Sequence, residues 1–474
     1  MIWKDQKVTS LRRSGVRQDL ETSKNETKDF ETQKNDATVS ILLRIKIYKV
    51  MMTYAETLQY MFARLPMYQR IGGAAYKADL DNTITLCRNL GNPERNFAAV
   101  HVAGTNGKGS VSNLLASMLQ EAGFKTGLYT SPHYRDFRER IRINGQEISE
   151  ERVVAFIDQH RPMLEEIELS FFEMTVGMAF RYFADEQVDI AVVEVGMGGR
   201  LDSTNVITPL ASVITNIGLD HTQFLGDTLA KIAVEKAGII KQRVPVVIGE
   251  TQQEIKAVFE NIAHDHAAPI TFADQNWKIV SDNQQQVNIL FKNRPFLTTH
   301  LPLQGSYQHK NLRTALEAIR QLENTRFKIF KENIAAGIEK VVANTGIRGR
   351  WQVLSTQPLT IADSGHNAHG LQMVMDNINK TPYRELHMII GVVNDKNLDA
   401  MMALLPKDAH YYFCKANIPR ALPAEELALM ATKWQLNGSA YPRVDAALQA
   451  ARQKAHPDDL IFIGGSTFVV AEVV

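Results

Sequence analysis

The chain has 474 residues, enough for two domains and at least one large core. Hydrophobic residues make up 45% and charged residues 22%, an ordinary globular balance, and the net charge of +1 argues against a broad non-specific nucleic-acid surface. The two cysteines, Cys87 and Cys414, form neither a metal-spacing motif nor a disulfide framework, which suits a reducing cytoplasm, and no apolar run approaches a membrane span.

Residues 1–51 are polar and charged up to "QKNDA", and read as a disordered extension. The "TVSILLRIKIYKVMM" that follows is broken by Arg44, Lys46 and Lys49, unlike the core of a secretory signal. The expectation is a dispensable tail ahead of a natural start at Met51 or Met52. Helical patterns begin with "YAETLQYMFARL" and "DLDNTITLCRNLG". Buried strands are then predicted at "FAAVHVAG", "KTGLYTSP", "DIAVVEVG", "ASVITNIG" and "VPVVIGE". Helices such as "SVSNLLASMLQEAG", "SFFEMTVGMAFRYFAD" and "TLAKIAVEKAGII" separate them. Such alternation implies a parallel sheet covered on both faces. Near "ANTGIRGRWQVL" the pattern restarts, with strands at "LTIAD", "LHMIIGVV", "HYYFCKA" and "LIFIGG". The predicted fold is α/β: a phosphate-loop domain over 52–345 with a mainly parallel sheet, and a smaller Rossmann-like domain over 346–474.

The stretch "HVAGTNGKGSV" has the mechanics of a phosphate site. A strand ends at Ala103, and the turn Gly104-Thr105-Asn106-Gly107 leads into a helix whose positive end faces the same spot. Lys108 can reach outer phosphates and Ser110 can place a hydroxyl on a magnesium ion. The extra Gly109 separates this loop from the common ATPase and GTPase pattern. Carboxylates for the metal should come from neighbouring strand ends. Glu194 is one, unless Arg200 claims it in a salt bridge. Asp220-His221 ends another strand, and Ser131 a third. Lys236 reads, on its own, as a solvated lysine on an outer helix face. In the second unit "DSGHNAHG" puts Asp363 and His366 after a strand, "GIRGRWQ" puts Arg350 at the junction, and "GVVNDKN" puts Asp395 and Lys396 at another strand end. Together these suggest that the second unit closes over the first and excludes water from a phosphorylated intermediate.

In their order, "HVAGTNGKGSV", "SPHYRDFRERIRING", "VEVGMGGRLDSTN", "ITNIGLDHTQFLG", "IAVEKAGII", "GSYQHKN", "RGRWQ" and "DSGHNAHG" resemble the folylpolyglutamate synthase and dihydrofolate synthase family of the Mur ligases, from about Met52 to Val474. The resemblance implies that Gly107 to Ser110 cradle the triphosphate of ATP. It implies that Ser110, Ser131, Glu194 and His221 hold two magnesium ions, and that Asn311, Arg350 and Asp363 contact the nucleotide. It gives catalytic roles to Lys108, Lys236 and His366, with Lys236 carbamylated, which reverses the reading from residues alone. The segment "DFRERIRINGQEIS" matches a mobile loop that helps shape the folate site. The chain departs from the family pattern at Ser364, Gly365 and Ala368, which replace glycine, alanine and proline, and at Arg348, which replaces proline. The implied activity is ligation of L-glutamate to the γ-carboxylate of reduced folates through an acyl phosphate, by a cytoplasmic monomer with no nucleic-acid or membrane partner. Dihydropteroate is the alternative acceptor. A cell-wall ligase would need a nucleotide-sugar domain ahead of the loop, for which "YAETLQ…NPERN" is too short. A nucleotide switch would not need the set Ser131, Glu194 and His221.

Overall fold

The computed structural model describes residues 52–65, 79–281, 286–394 and 398–474. The N-terminal extension and the Asp395–Lys396 pair lie outside the described residues. All five strands expected in the first half form: β1 (Ala98–Ala103), β2 (Thr126–Tyr129), β5 (Ile190–Glu194), β6 (Ala211–Ile214) and β7 (Val246–Ile248). With β3 (Ile141–Ile143), β4 (Gln146–Glu147) and β8 (Ile270–Phe272) they make an eight-stranded sheet ordered β4-β3-β2-β5-β1-β6-β7-β8. From β2 to β8 the neighbours are parallel. Their unbroken apolar runs follow from burial on both faces. Val100, Val102 and Val192 pack with Leu114 and Leu316 from helices on one side, whereas Ala99, Ala191 and Val193 pack with Met174 and Phe180 on the other.

The direction of strand order reverses at β1, which β5 and β6 flank. Open α/β sheets bind ligands at such a point, beyond the carboxyl ends of the strands. Register sets Glu194 opposite Val102 and Ile214 opposite Ala103, so three strand ends converge where the glycine-rich turn begins.

The segment matched to a mobile loop is built here as regular structure. Asp136 caps a short turn at Phe137–Arg140, and β3 and β4 then form an antiparallel edge hairpin. Its connection is Asn144-Gly145, both at positive φ (47° and 76°), the pair that a tight hairpin turn favours. A separate antiparallel sheet of β9 (Trp277–Ser281), β10 (Gln286–Phe291) and β11 (Arg294–His300) was not anticipated from the sequence. It is anchored by the Trp277 indole, which donates to the buried Glu317 Oε2 at 2.8 Å.

The third sheet is ordered β12-β13-β17-β14-β15-β16. It comprises β12 (Gln352–Thr356), β13 (Leu359–Ala362), β14 (Leu386–Ile390), β15 (His410–Cys414), β16 (Gly438–Tyr441) and β17 (Leu460–Gly464). All pairs are parallel except β12 on β13. The four predicted strands are present, with β12 and β16 in addition. Among the described residues no helix is long and apolar enough to cross a membrane.

Candidate active site

The turn after β1 is held open by its neighbours rather than by its own side chains. Gly104 (φ 144°) and Gly107 (φ 84°) adopt backbone that favours glycine, and a Cβ at either would also run into a neighbour, Thr215 Oγ1 and Asn311 Oδ1 respectively. The chain after β6 supplies the scaffold. Thr105 N donates to Asn216 O at 2.8 Å, Asn106 N to Asn216 Oδ1 at 3.1 Å, and the Thr215 hydroxyl to Asn106 O at 2.6 Å. The helix Lys108–Glu121 then starts from Gly107 with no side-chain cap, so its first amides face the cleft. The Lys108 ammonium folds back to donate to Gly104 O (3.1 Å) and Thr105 O (3.2 Å).

The phosphate-loop, metal, nucleotide and catalytic candidates from the sequence, Gly104 to Ser110 with Ser131, Glu194, His221, Lys236, Asn311, Arg350, Asp363 and His366, line one cavity of about 190 Å³. Glu194 is buried at the end of β5 and accepts from Ser131 N at 3.2 Å. Burial pushes its carboxyl above the usual range, opposed first by the Lys108 ammonium. Arg200 is not its partner, because that guanidinium pairs with Glu235 at 2.9 Å. Burial also pushes Lys108 down, opposed by Glu194 and Asp220. His221 sits at φ 50° as its turn leaves Asp220.

The reading of Lys236 as a solvated lysine is wrong. Its helix, Leu229–Ala237, turns Ile232, Ala233, Lys236 and Ala237 inward, and Lys236 is only 4% exposed. A Cβ on Gly199 would meet the Lys236 backbone, so the glycine-rich turn after β5 packs directly on this residue. Burial, and then the charge of Lys108, lower its pKa to about 7.

The C-terminal half closes the cavity. Asn106 and Asn367 exchange amide hydrogen bonds at 3.2 and 3.1 Å, and Asn367 also donates to Asp220 Oδ2 at 2.9 Å. His366 Nε2 lies 3.4 Å from the same Asp220 oxygen. Asp363, at the end of β13, accepts from the Tyr307 hydroxyl and from Trp351 N (2.8 Å) and Gly365 N (2.8 Å). Burial raises its carboxyl, opposed first by Tyr307. Burial alone would lower the Arg350 pKa, but Tyr134, Asp363 and Tyr307 hold it above its ordinary value.

Comparison with known proteins agrees with this geometry. Residues 102–319 match the Mur ligase middle domain and residues 349–467 the Mur ligase glutamate ligase domain. The chain is 32% identical over 414 residues to a Bacillus subtilis dihydrofolate synthase/folylpolyglutamate synthase, covering 84% of this chain and 94% of that one. It belongs to the folylpolyglutamate/dihydrofolate synthase family. A probable bifunctional folylpolyglutamate synthase/dihydropteroate synthase from Haloferax volcanii is 36% identical over 82% of the chain, which spans only 47% of that protein's length. The crystal structure of the Yersinia pestis family member complexed with AMPPNP and a manganese ion superposes with a TM-score of 0.77 at 28% identity, over 89% of this chain and 97% of that one.

The donor set fits a divalent ion bound beside phosphate. The Ser110 hydroxyl is buried without a hydrogen-bond partner, and Ser131 and Glu194 add oxygen donors of the kind magnesium takes. His221 brings an imidazole nitrogen instead. Glu385, His387 and Asp459 also lie within metal-bridging distance of one another, but at the opposite, amino ends of β14 and β17. Arg384 already holds both Asp459 oxygens there, at 2.9 and 3.1 Å, so that cluster is an ion pair network. Sequence reasoning passed over Asp202, Glu250, Tyr307 and Lys310. The strand-end logic that found Glu194 would have found Glu250 beyond β7, which pairs with Lys310 at 2.7 Å. Asp202 accepts from Met197 N (2.9 Å) and Thr204 N (3.0 Å) and so fixes the turn after Glu194.

Proposed function

We propose that this chain joins the α-amine of L-glutamate to the γ-carboxylate of a (tetrahydro)folylpolyglutamate, converting ATP to ADP and phosphate. The observation that carries the reading is the convergence, in one cleft lined by residues from both the N-terminal and the C-terminal part of the chain, of an open helix end, Lys108, Glu194, Lys236 and Arg350. A carboxylate is a poor acyl donor, so its oxygen first takes the γ-phosphoryl group of ATP. The amine of glutamate then attacks the acyl carbon, phosphate leaves, and the amine gives up a proton. No enzyme nucleophile is required, and both cysteines are buried with raised pKa values, Cys87 at about 12.

The chain's residues position and neutralise. The amides after Gly107 and the ammonium of Lys108 receive phosphate oxygens, and the Arg350 guanidinium reaches the loop at Gly109. Asn311 and Asp363 bind the remainder of the nucleotide. Ser110, Ser131, Glu194 and His221 would hold the two magnesium ions. When bound, the ions neutralise charge on the transferring phosphoryl group. Lys236 is neutral in part near pH 7, and a neutral amine adds carbon dioxide to give a carbamate and a proton. The carbamate makes an anion beside Lys108. His366, paired with Asp220, takes the proton released by the attacking amine. Closure of the cleft around the substrates would keep water from the acyl phosphate.

The test is phosphate release, which should require folate and glutamate together, with a product heavier by one glutamate. Release that ignores either substrate overturns the reading. The names of the relatives cover more than one acceptor, so a panel of tetrahydrofolate, methylene-tetrahydrofolate and dihydropteroate decides between chain extension and dihydrofolate synthesis.

A further inference from the structure

A tyrosine joins the two halves at the point where the nucleotide's phosphate end would lie. Tyr134 follows Ser131 by three residues, in a turn held by one carboxylate. Glu139 accepts the amides of Tyr134 (2.7 Å), Arg135 (2.8 Å) and Asp136 (3.0 Å). From the far side, Tyr54 donates to Asp136 Oδ1 at 2.7 Å. The phenol is therefore placed by the N-terminal half. Its hydroxyl accepts from Arg350 Nη1 at 2.8 Å and donates to Ser364 Oγ at 3.3 Å. Gly349, at φ 65°, leaves the room for it, because a Cβ there would press on the Tyr134 hydroxyl. The other end of the Arg350 fork faces the loop: a Cβ on Gly109 would stand 3.4 Å from Nη2 and 3.7 Å from Glu194 Oε1.

A guanidinium has a rigid planar fork, so fixing one nitrogen fixes where the other points. We infer that Tyr134 is a positioning residue: once the C-terminal half, which carries both Arg350 and Ser364, is docked, the phenol of the N-terminal half fixes one nitrogen of Arg350 and so aims the other at the phosphate loop. The order Arg350 Nη1–H to Tyr134 Oη–H to Ser364 Oγ uses the phenol as acceptor and donor at once. A cleft that opens carries Arg350 and Ser364 away together and breaks both bonds to the phenol. Loss of the link therefore acts on the closed complex, in which phosphoryl transfer takes place.

The kinetic arm of the test rests on the ligase reading, whereas a binding arm stands without it. Tyr134→Phe keeps the ring and removes only the hydroxyl. Ser364→Ala removes only the acceptor. Tyr134→Phe is expected to lower kcat about tenfold, the effect of one hydrogen bond to a charged group, and Ser364→Ala, which loses a bond between neutral hydroxyls, by less, with KM for glutamate and the unfolding midpoint unchanged in both. Affinity for AMPPNP with magnesium, measured by calorimetry, should fall by a similar factor. The double variant should be no worse than Tyr134→Phe alone, because both break one chain. Tyr134→Phe with wild-type kcat and wild-type AMPPNP affinity overturns the inference, as do losses that multiply in the double variant. A wild-type protein that binds AMPPNP but never ligates glutamate defeats the proposed function, and leaves the calorimetric arm to decide on Tyr134.

Discussion

The molecule contains the same local unit twice, and the two copies differ at one point. After β1 a turn leads into the helix Lys108–Glu121, and after β13 a turn leads into the helix Ala368–Ile378. In the first, the cap is Gly107, and no side chain caps the leading amides with a hydrogen bond. In the second, the cap is Asn367, whose Oδ1 accepts from Gly370 N at 2.7 Å. One helix end is open to an anion, and the other is plugged by its own chain. The fold alone thus does not make a phosphate site; a glycine in place of an asparagine does. The plugged end is used otherwise, since the Asn367 amide faces Asn106 and Asp220 across the cleft.

Stripping the open end of its cation should break the comparison most completely. Lys108→Ala is expected to lower ATP turnover on the order of a thousandfold in a variant that still folds, because the ammonium is the cation that meets the phosphates. Turnover near wild type in a folded variant would end the assignment of this loop. Plugging the open end comes next. Gly107→Asn introduces both a cap and a Cβ against Asn311, and ADP affinity by calorimetry should fall roughly a hundredfold. The buried lysine beside the open end has no role in the second copy, and Lys236→Ala should lower ligation some tens of fold (roughly, as for a lost charged partner) with partial rescue by formate or acetate. In the wild type, activity should drop as the pH falls below about 7, since the protonated amine cannot add carbon dioxide. A flat profile from pH 6 to 8, with a variant of full activity, returns Lys236 to a structural role. The smallest effect is expected from unplugging the second end. Asn367→Ala should cost about 1 kcal/mol in urea unfolding for the lost cap, and should create no second nucleotide site.

Much of this was legible because strands buried on both faces read as continuous apolar runs, and because ligands gather at strand ends. That logic located Ser131, Glu194 and His221 without any coordinates. It failed where apolarity has no direction. The helix around Lys236 is apolar on most sides, so spacing could not say which face was inside, and only packing against Gly199 decides. The sheet of β9 to β11 was missed because its strands are half exposed and interleave polar residues, as in β9, where Trp277 is buried and Lys278 exposed. Tyr134 carried no signal either: a tyrosine in a turn gains meaning only once Arg350 and Ser364, more than two hundred residues away, come beside it.

The amide exchange between Asn106 and Asn367 has one more consequence. Both groups are neutral, so the clasp owes nothing to ionic strength or proton concentration. The ligand, by contrast, is recognised through charge. Raising the salt concentration should therefore loosen the grip on phosphate while leaving this amide clasp in place, so that salt inhibition appears as weaker nucleotide saturation.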